Sequence, residues 1–319
     1  MPRFSVLAAS AVLAVFAVFS LAAEPPKRTM ALTFDDLPLA PRADDLATAR
    51  RVTDALLRVL AEHEAPAAGF VNEDKLHRPG ELDERVALLE RWLDAGAVLG
   101  NHTYSHLNLR DAPLAAYQDD VLHGEVITRR LLRQRGLTAP LYFRHPFTNT
   151  GPTKEVKDAF EAFLKSRGYV IAPFTVEHAD YLFNAVWLDA RTKGETDRAG
   201  RVRAAYLEHL DTMCGFFEEL ARDTFGREIP QILLIHANEL NADALDDMLD
   251  RLEARGYAFV SLDEALRDPA YATRDEMVVR FGPSWLHRWR ATLEKPSKLR
   301  DEPDPPAWVM REYEALTAR

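Results

Sequence analysis

Short apolar runs, each followed by a stretch of helical periodicity, govern what this chain can fold into. The runs lie at residues 30–34, 67–71, 97–100, 141–143, 169–171 with 174–176, 231–235 and 258–260. Between them apolar residues recur at three and four positions: Leu46, Ala49, Val52 and Leu56, then Val86, Leu89 and Leu93, then along residues 111–135, 153–167, 202–222 and 242–255. Glycines at 96, 136, 168 and 256 stand where helices stop. Strands that are apolar along their whole length are covered on both faces, which calls for a parallel sheet wrapped by helices. About seven such strands suggest a barrel whose active site lies at the C-terminal ends of the strands.

The reactive residues fall at those ends. Asp35-Asp36, His102 with His106, Arg144, Asp180 and His236 each follow a run directly. Asp35 and Asp36 alone read as an exposed acidic turn. At a strand end they read as two acids with separate duties, one holding a cation and one acting as a base, because neighbouring strand residues face opposite sides. His102 and His106 are four apart, a spacing that on a helix puts two imidazoles on one face, where they can grip one metal ion. With one carboxylate they make a three-ligand site that leaves room for water or substrate. His236 reads either as a satisfied core histidine or as a proton donor at the mouth. Arg144 reads as a surface charge or as a bidentate partner for a carboxylate.

Composition narrows the partners. An apolar content of 47% and a charged content of 28% describe a globular chain with a substantial core. The net charge of -10 argues against a nucleic-acid partner. Met1-Pro2-Arg3 followed by the apolar residues 6–21 and Ser20-Leu21-Ala22 reads as a secretory signal peptide, residues 1–23, rather than an uncleaved anchor. This implies a secreted or periplasmic protein with no stable membrane anchor. The lone Cys214 allows no intramolecular disulfide and reads as a small buried hydrophobe. Residues 268–319, rich in proline and holding Trp285, Trp289 and Trp308, read as a loop-and-helix extension packed on a domain at residues 27–267, with residues 295–306 as a flexible tail.

Taken in order, Thr33-Phe34-Asp35-Asp36, His102-Thr103-Tyr104-Ser105-His106, Arg144-His145-Pro146-Phe147, Asp180-Tyr181 and Leu234-Ile235-His236 resemble the five motifs of the NodB-homology polysaccharide deacetylases, carbohydrate esterase family 4. The resemblance spans about residues 29–266. It implies a distorted (β/α) barrel of about seven parallel strands and an exported metal-dependent hydrolase of carbon–nitrogen bonds other than peptide bonds. Such an enzyme removes N-acetyl or O-acetyl groups from a glycan and releases acetate. By the same resemblance Asp35 is the base, and Asp36, His102 and His106 hold a divalent metal, usually zinc, with cobalt, nickel or manganese as alternatives. Arg144 orients Asp35, Asp180 pairs with His236, and His236 is the general acid. The backbone N–H of Phe147 holds the oxyanion and Tyr181 walls the groove. Leu37 stands where the family has glycine, which crowds the mouth beside the base. Tyr181 replaces a tryptophan and Phe147 a tyrosine. Glu177 is the earlier acid of the fourth motif, and His145 and His178 are candidates for substrate contact.

Three other functions fit parts of this pattern: an amidohydrolase acting on a small non-sugar C–N bond, an inactive glycan-binding module, and a glycosidase. A binding module needs neither a base nor an acid, and a glycosidase has no use for the histidine pair. The oligomeric state is not legible. Asp35→Asn is expected to keep metal and lose turnover; metal content beside acetate release checks this, and wild-type turnover would remove Asp35 from the reaction.

Overall fold

Seven parallel strands meet around β1 (Arg28–Leu37), which pairs with β2 (Ala67–Val71) on one side and β6 (Gln231–His236) on the other. The computed structural model describes residues 28–40, 45–137 and 141–318. The proposed signal peptide and Lys27 lie outside these. The sheet continues from β2 through β3 (Val98–Asn101) and β4 (Leu141–Phe143) to β5 (Tyr169–Ile171), while β7 (Tyr257–Phe259) pairs with the first residues of β1. Beyond β5 the chain runs on to β6: Thr175 and Val176 N–H donate to the Ile232 carbonyl at 2.9 and 3.1 Å, and Leu234 N–H donates to Val176 O at 2.9 Å. This closes the barrel. It is irregular because β3 and β4 share a single register pair, Asn101 with Phe143, and β7 touches only residues 28–30 of β1.

The strand sequences explain the closure. Met30, Ala31, Leu32 and Phe34 of β1 are at most 1% exposed, as are Ile232, Leu233 and Ile235 of β6, so both faces are buried and helices must cover the outside. These are α1 (Leu46–Glu62), α2 (Leu82–Asp94), α3 (Leu114–His123), α4 (Val126–Gln134), α5 (Lys154–Ser166), α6 (Asp180–Thr192), α7 (Thr196–Phe225), α8 (Glu239–Ala254) and α9 (Leu262–Leu266). Asp45 caps α1 by accepting from Ala47 and Thr48 N–H, and Asn238 caps α8 by accepting from Asn241 N–H.

Within the barrel domain, three segments differ from the sequence reading. Residues 111–135 form two helices, not one. The break falls at Gly124, where a Cβ would sit 2.5 Å from Tyr104 N and 2.6 Å from Thr103 C. The loop after β3 therefore passes through the space that a continuous helix would fill. The second helix then starts afresh, capped by the buried Glu73 carboxylate, which accepts from Ile127 and Thr128 N–H at 2.9 and 2.7 Å. Glu73 belongs to a 3-10 turn, Glu73–Leu76, in the polar stretch after β2. Finally, α6 begins at Asp180 itself. Its buried Leu182, Phe183, Val186, Trp187 and Ala190 carry the helical spacing that the reading passed over.

After α9 the chain packs back on the barrel through α10 (Trp285–Thr292) and α11 (Ala307–Thr317), with Trp285, Trp289 and Val309 buried. Residues 295–306 are not a free tail. Lys295 Nζ donates to Asp223 O at 2.9 Å, and Glu302 pairs with the buried His287 at 2.7 Å. Among the described residues no helix is long and apolar enough to cross a membrane. Gly124→Ala is expected to cost about 1–3 kcal/mol, the range for overpacking. Urea denaturation measures it, and an unchanged midpoint would show that the 102–106 loop yields freely.

Candidate active site

The two carboxylates at the end of β1 part because the strand bends between them. The pairing of β1 with β2 slips between Phe34 and Leu37, and Asp36 takes φ 72°. Such a bulge re-aims side chains at a strand terminus. Asp35 stays in register opposite His236 of β6. Leu37 does not crowd the mouth. It is fully buried in the core, with its side chain packed over Gly69, where a Cβ would lie 2.6 Å from Leu37 Cδ2.

Asp36, His102 and His106 converge, although the histidines are not on a helix. They lie on a loop after β3 in which Thr103 and His106 take φ 60° and 58°. Asn101 Oδ1 accepts from Thr103 N–H at 2.7 Å, Asn72 Nδ2 donates to His102 O at 2.6 Å, and Asp120 accepts from Ser105 N–H and Oγ–H. The two rings sit 4.9 Å apart. Asp36 Oδ1 lies 3.9 Å from His102 Nε2 and 3.6 Å from His106 Nε2, and accepts no hydrogen bond among the described residues. Those gaps are too long for hydrogen bonds and close to the roughly 3.4 Å ligand spacing of a tetrahedral ion bound at about 2.1 Å. His102 Nδ1 donates to Arg144 O at 2.8 Å, which leaves Nε2 as the ligand atom. Burial, then the neighbouring His106, holds the His102 pKa well below its usual value, so the ring is neutral as a ligand must be. Burial alone would raise Asp36, but Lys75 and the histidines hold it well below the usual carboxylate range. Lys75, missed in the sequence, brings its ammonium 3.3 Å from Asp36 Oδ1 and donates to Asp36 O at 3.1 Å. The donor set fits a divalent metal.

Arg144 is fully buried and is not bidentate toward Asp35. Its Nη1 lies 3.5 Å from Asp35 Oδ2, while Nε donates to Ala172 O at 2.8 Å and Nη2 to Thr33 Oγ1 at 3.0 Å. The guanidinium is shared among four acceptors, two on β1 and two just beyond β5, and one oxygen of Asp35, Oδ1, is buried without a hydrogen-bond partner among the described residues. Burial raises the Asp35 carboxyl to about 6 against the pull of Arg144 and His236.

On the other side, His236 Nδ1 and Asp180 Oδ1 are 2.7 Å apart. Asp180 Oδ2 also accepts from His236 N–H at 2.8 Å, Asn238 Nδ2 at 2.9 Å and Asn241 Nδ2 at 2.7 Å. Tyr206 O–H in turn holds Asn241 Oδ1. Nothing in the apolar spacing points to Asn238, Asn241 or Tyr206, although an Asn-x-x-Asn pair right after a strand-end histidine is a visible helix start. Burial works against charge on His236, yet the Asp180 carboxylate raises it to about 9. Burial likewise opposes charge on Asp180, but His236 lowers it to about 2.

These groups line one cavity of about 510 Å³, together with Phe147, Tyr181, Glu177 and Tyr313 of α11. Phe147 takes φ 53° and lays its ring 4.5 Å from His106, and the exposed Tyr181 ring meets Tyr313 edge-on at 6.0 Å. Burial pushes the Glu177 carboxyl up to about 7. Arg144 lies beneath the cavity. His145 and His178 are buried away from it, against Phe160 and Tyr206.

Residues 22–172 match the family model described as polysaccharide deacetylase. A peptidoglycan-N-acetylglucosamine deacetylase of Bacillus cereus is 24% identical over 242 residues, 74% of this chain and 67% of that protein. Among solved structures, a mutant of a CE4 family pseudoenzyme from Bacillus anthracis superposes with a TM-score of 0.51 at 18% identity, covering 77% of this chain and 69% of that one. A second mutant of it, with restored enzymatic activity, gives 0.50 at 19% identity, covering 77% and 70%. At these identities the structures speak for the fold. An NMR titration of the His236 ring is expected to show a midpoint near 9 that Asp180→Asn moves toward the ordinary 6.5; an unmoved midpoint would mean that Asp180 does not charge the ring.

Proposed function

We propose, from the premise that the chain belongs to the NodB-homology polysaccharide deacetylase family (carbohydrate esterase family 4), that it is an exported, metal-dependent enzyme removing acetyl groups from a glycan. One observation carries the reading. A buried carboxylate with an oxygen unpaired among the described residues and a histidine bonded to Asp180 face one cavity from adjacent strand ends, with a three-ligand metal set beside them. Binding alone requires neither acid nor base.

Asp36 Oδ1, His102 Nε2 and His106 Nε2 are the atoms that would hold the ion. A divalent ion supplies Lewis-acid polarisation of the acyl oxygen and acidifies water at neutral pH. Asp35 takes the proton of the attacking water through its unpaired oxygen, and Arg144 keeps the carboxylate turned to the cavity. A base with a pKa near 6 is stronger than an ordinary aspartate and still ionised at neutral pH. The backbone N–H of Phe147 donates to the developing oxyanion. His236, protonated below about 9, gives its Nε2 proton to the departing nitrogen. The products are acetate and a free amine. Asn238 and Asn241 keep Asp180 in place, and so keep His236 in its acid form through neutral pH.

The cavity walls favour a sugar. Tyr181, Tyr313 and Phe147 place three aromatic rings in its lining. The C–H face of a pyranose carries partial positive charge and is attracted to the negative face of an aromatic ring. N-acetylglucosamine of peptidoglycan, the substrate class named for the Bacillus cereus relative, heads the substrates to test, and residues 1–23 export the enzyme to it. Acetate release from a panel of N- and O-acetylated glycans is expected to stop with chelator and return with zinc. His236→Asn is expected to lower kcat by about 10²–10⁴ with metal content unchanged. Release that resists chelator would end the metal mechanism, and no release from any glycan would end the glycan reading.

A further inference from the structure

The loop that carries Phe147 is strained, and the residues that hold it come from the far end of the chain. Phe147 and Thr148 take φ 53° and 51° in succession, a left-handed conformation disfavoured for any residue with a Cβ. Two such residues in a row persist only where the surroundings over-determine them. Here Arg288 of α10, fully buried, donates from Nη2 to Thr148 O at 2.9 Å and from Nη1 to Thr150 Oγ1 at 3.0 Å. The same guanidinium is anchored by Asp275 at 3.0 Å and by the Pro283 carbonyl at 3.0 Å, and lies over the Trp285 ring at 4.6 Å. A second attachment sits beside the first. Thr148 Oγ1 donates to Gly282 O at 2.6 Å. Gly282 has no room for a side chain: a Cβ would fall 1.6 Å from Thr148 Oγ1 and 2.5 Å from Phe147 O.

We propose that the segment from Asp275 to Arg288 is a clamp on the oxyanion loop. Arg288 and Gly282 are positioning residues that fix the Phe147 peptide, so that its N–H is set before the substrate arrives. The inference rests on the reading of Phe147 as the oxyanion donor. It places part of the catalytic geometry in a segment that lies wholly outside residues 22–172, the stretch matching the family. Preorganisation is what gives a donor its effect, since a peptide that must reorient during the reaction loses most of it.

The full-length protein tests this with Thr148→Val, which keeps shape and removes the latch, with Gly282→Ala, which forces the loop aside, and with Thr148→Ser as the conservative control. Two readouts are taken. Hydrogen exchange follows the Thr148 and Asn149 amides, which donate to His145 O and Pro146 O at 2.9 and 3.1 Å. Kinetics on an N-acetylated saccharide separate kcat from KM. Thr148→Val and Gly282→Ala are expected to speed exchange at both amides at least tenfold. They are expected to lower kcat about 10- to 100-fold with KM within about threefold, just under the 10²–10³ lost when an oxyanion donor is deleted. Thr148→Ser is expected to keep both near the parent values. Unchanged exchange overturns the clamp. Faster exchange with an unchanged kcat, or a loss carried by KM, overturns its catalytic role and leaves the deacetylase reading standing. A parent protein that releases no acetate from any saccharide overturns both readings of Phe147, a result that the exchange data tell apart from failure of the clamp.

Discussion

A guanidinium buried inside the barrel holds this site together. Arg144 has no solvent exposure, so every polar atom it carries must find a partner within the protein. Its donors reach Thr33 and Asp35 on β1 and the carbonyls of Ala172 and Pro173 beyond β5. Its own carbonyl accepts from His102 and turns that ring toward Asp36. One residue thus links the strand that carries the acids, the loop that carries the histidines and the segment that closes the barrel. Taking it away would leave a buried carboxylate without its cation, a far larger loss than the modest net worth of the pair itself.

The electrostatics of the mouth follow from how the charges are divided. Asp35 and Asp180 are both buried, yet one is raised to about 6 and the other lowered to about 2. The difference lies first in the charge of His236, which sits against Asp180, and then in hydrogen bonding. Asp180 accepts from a ring, a backbone N–H and two amides, whereas Asp35 has only a long contact with Arg144 and an oxygen left over. A carboxylate rich in donors stays an anion, and a carboxylate poor in donors takes a proton more readily. His236 is charged because Asp180 outweighs its burial, whereas His102 is neutral because burial and the neighbouring His106 outweigh Asp36 and the Arg144 carbonyl.

Much of this was legible from residue order. The alternation of apolar runs and helical spacing led to the parallel barrel, and the reactive residues stood at run ends, where such a barrel gathers them. What failed were inferences from local periodicity. Four-residue spacing placed His102 and His106 on a helix, while the chain turns through two left-handed residues to bring them together. Residues 111–135 read as one helix, because nothing local shows that Tyr104 passes against Gly124. Leu37 read as an obstruction, because its neighbour Gly69 lies on another strand. Lys75 sat unnoticed in a polar loop, and Asn241 in an ordinary helix.

The sequence by itself determined the elements, their order and the identity of the groups that meet at the mouth, because burial periodicity and strand-end position are local properties. Only the tertiary structure decided which way each group faces. A bulge at Asp36, rather than the alternation of a strand, separates the two acids. Arg144 spreads its donors over four acceptors in place of a bidentate grip. The loop at Phe147 keeps its left-handed turn through Arg288 and Gly282, more than a hundred residues further on. These are contacts between segments distant in sequence, and backbone strain of this kind is stable only when such contacts are already in place.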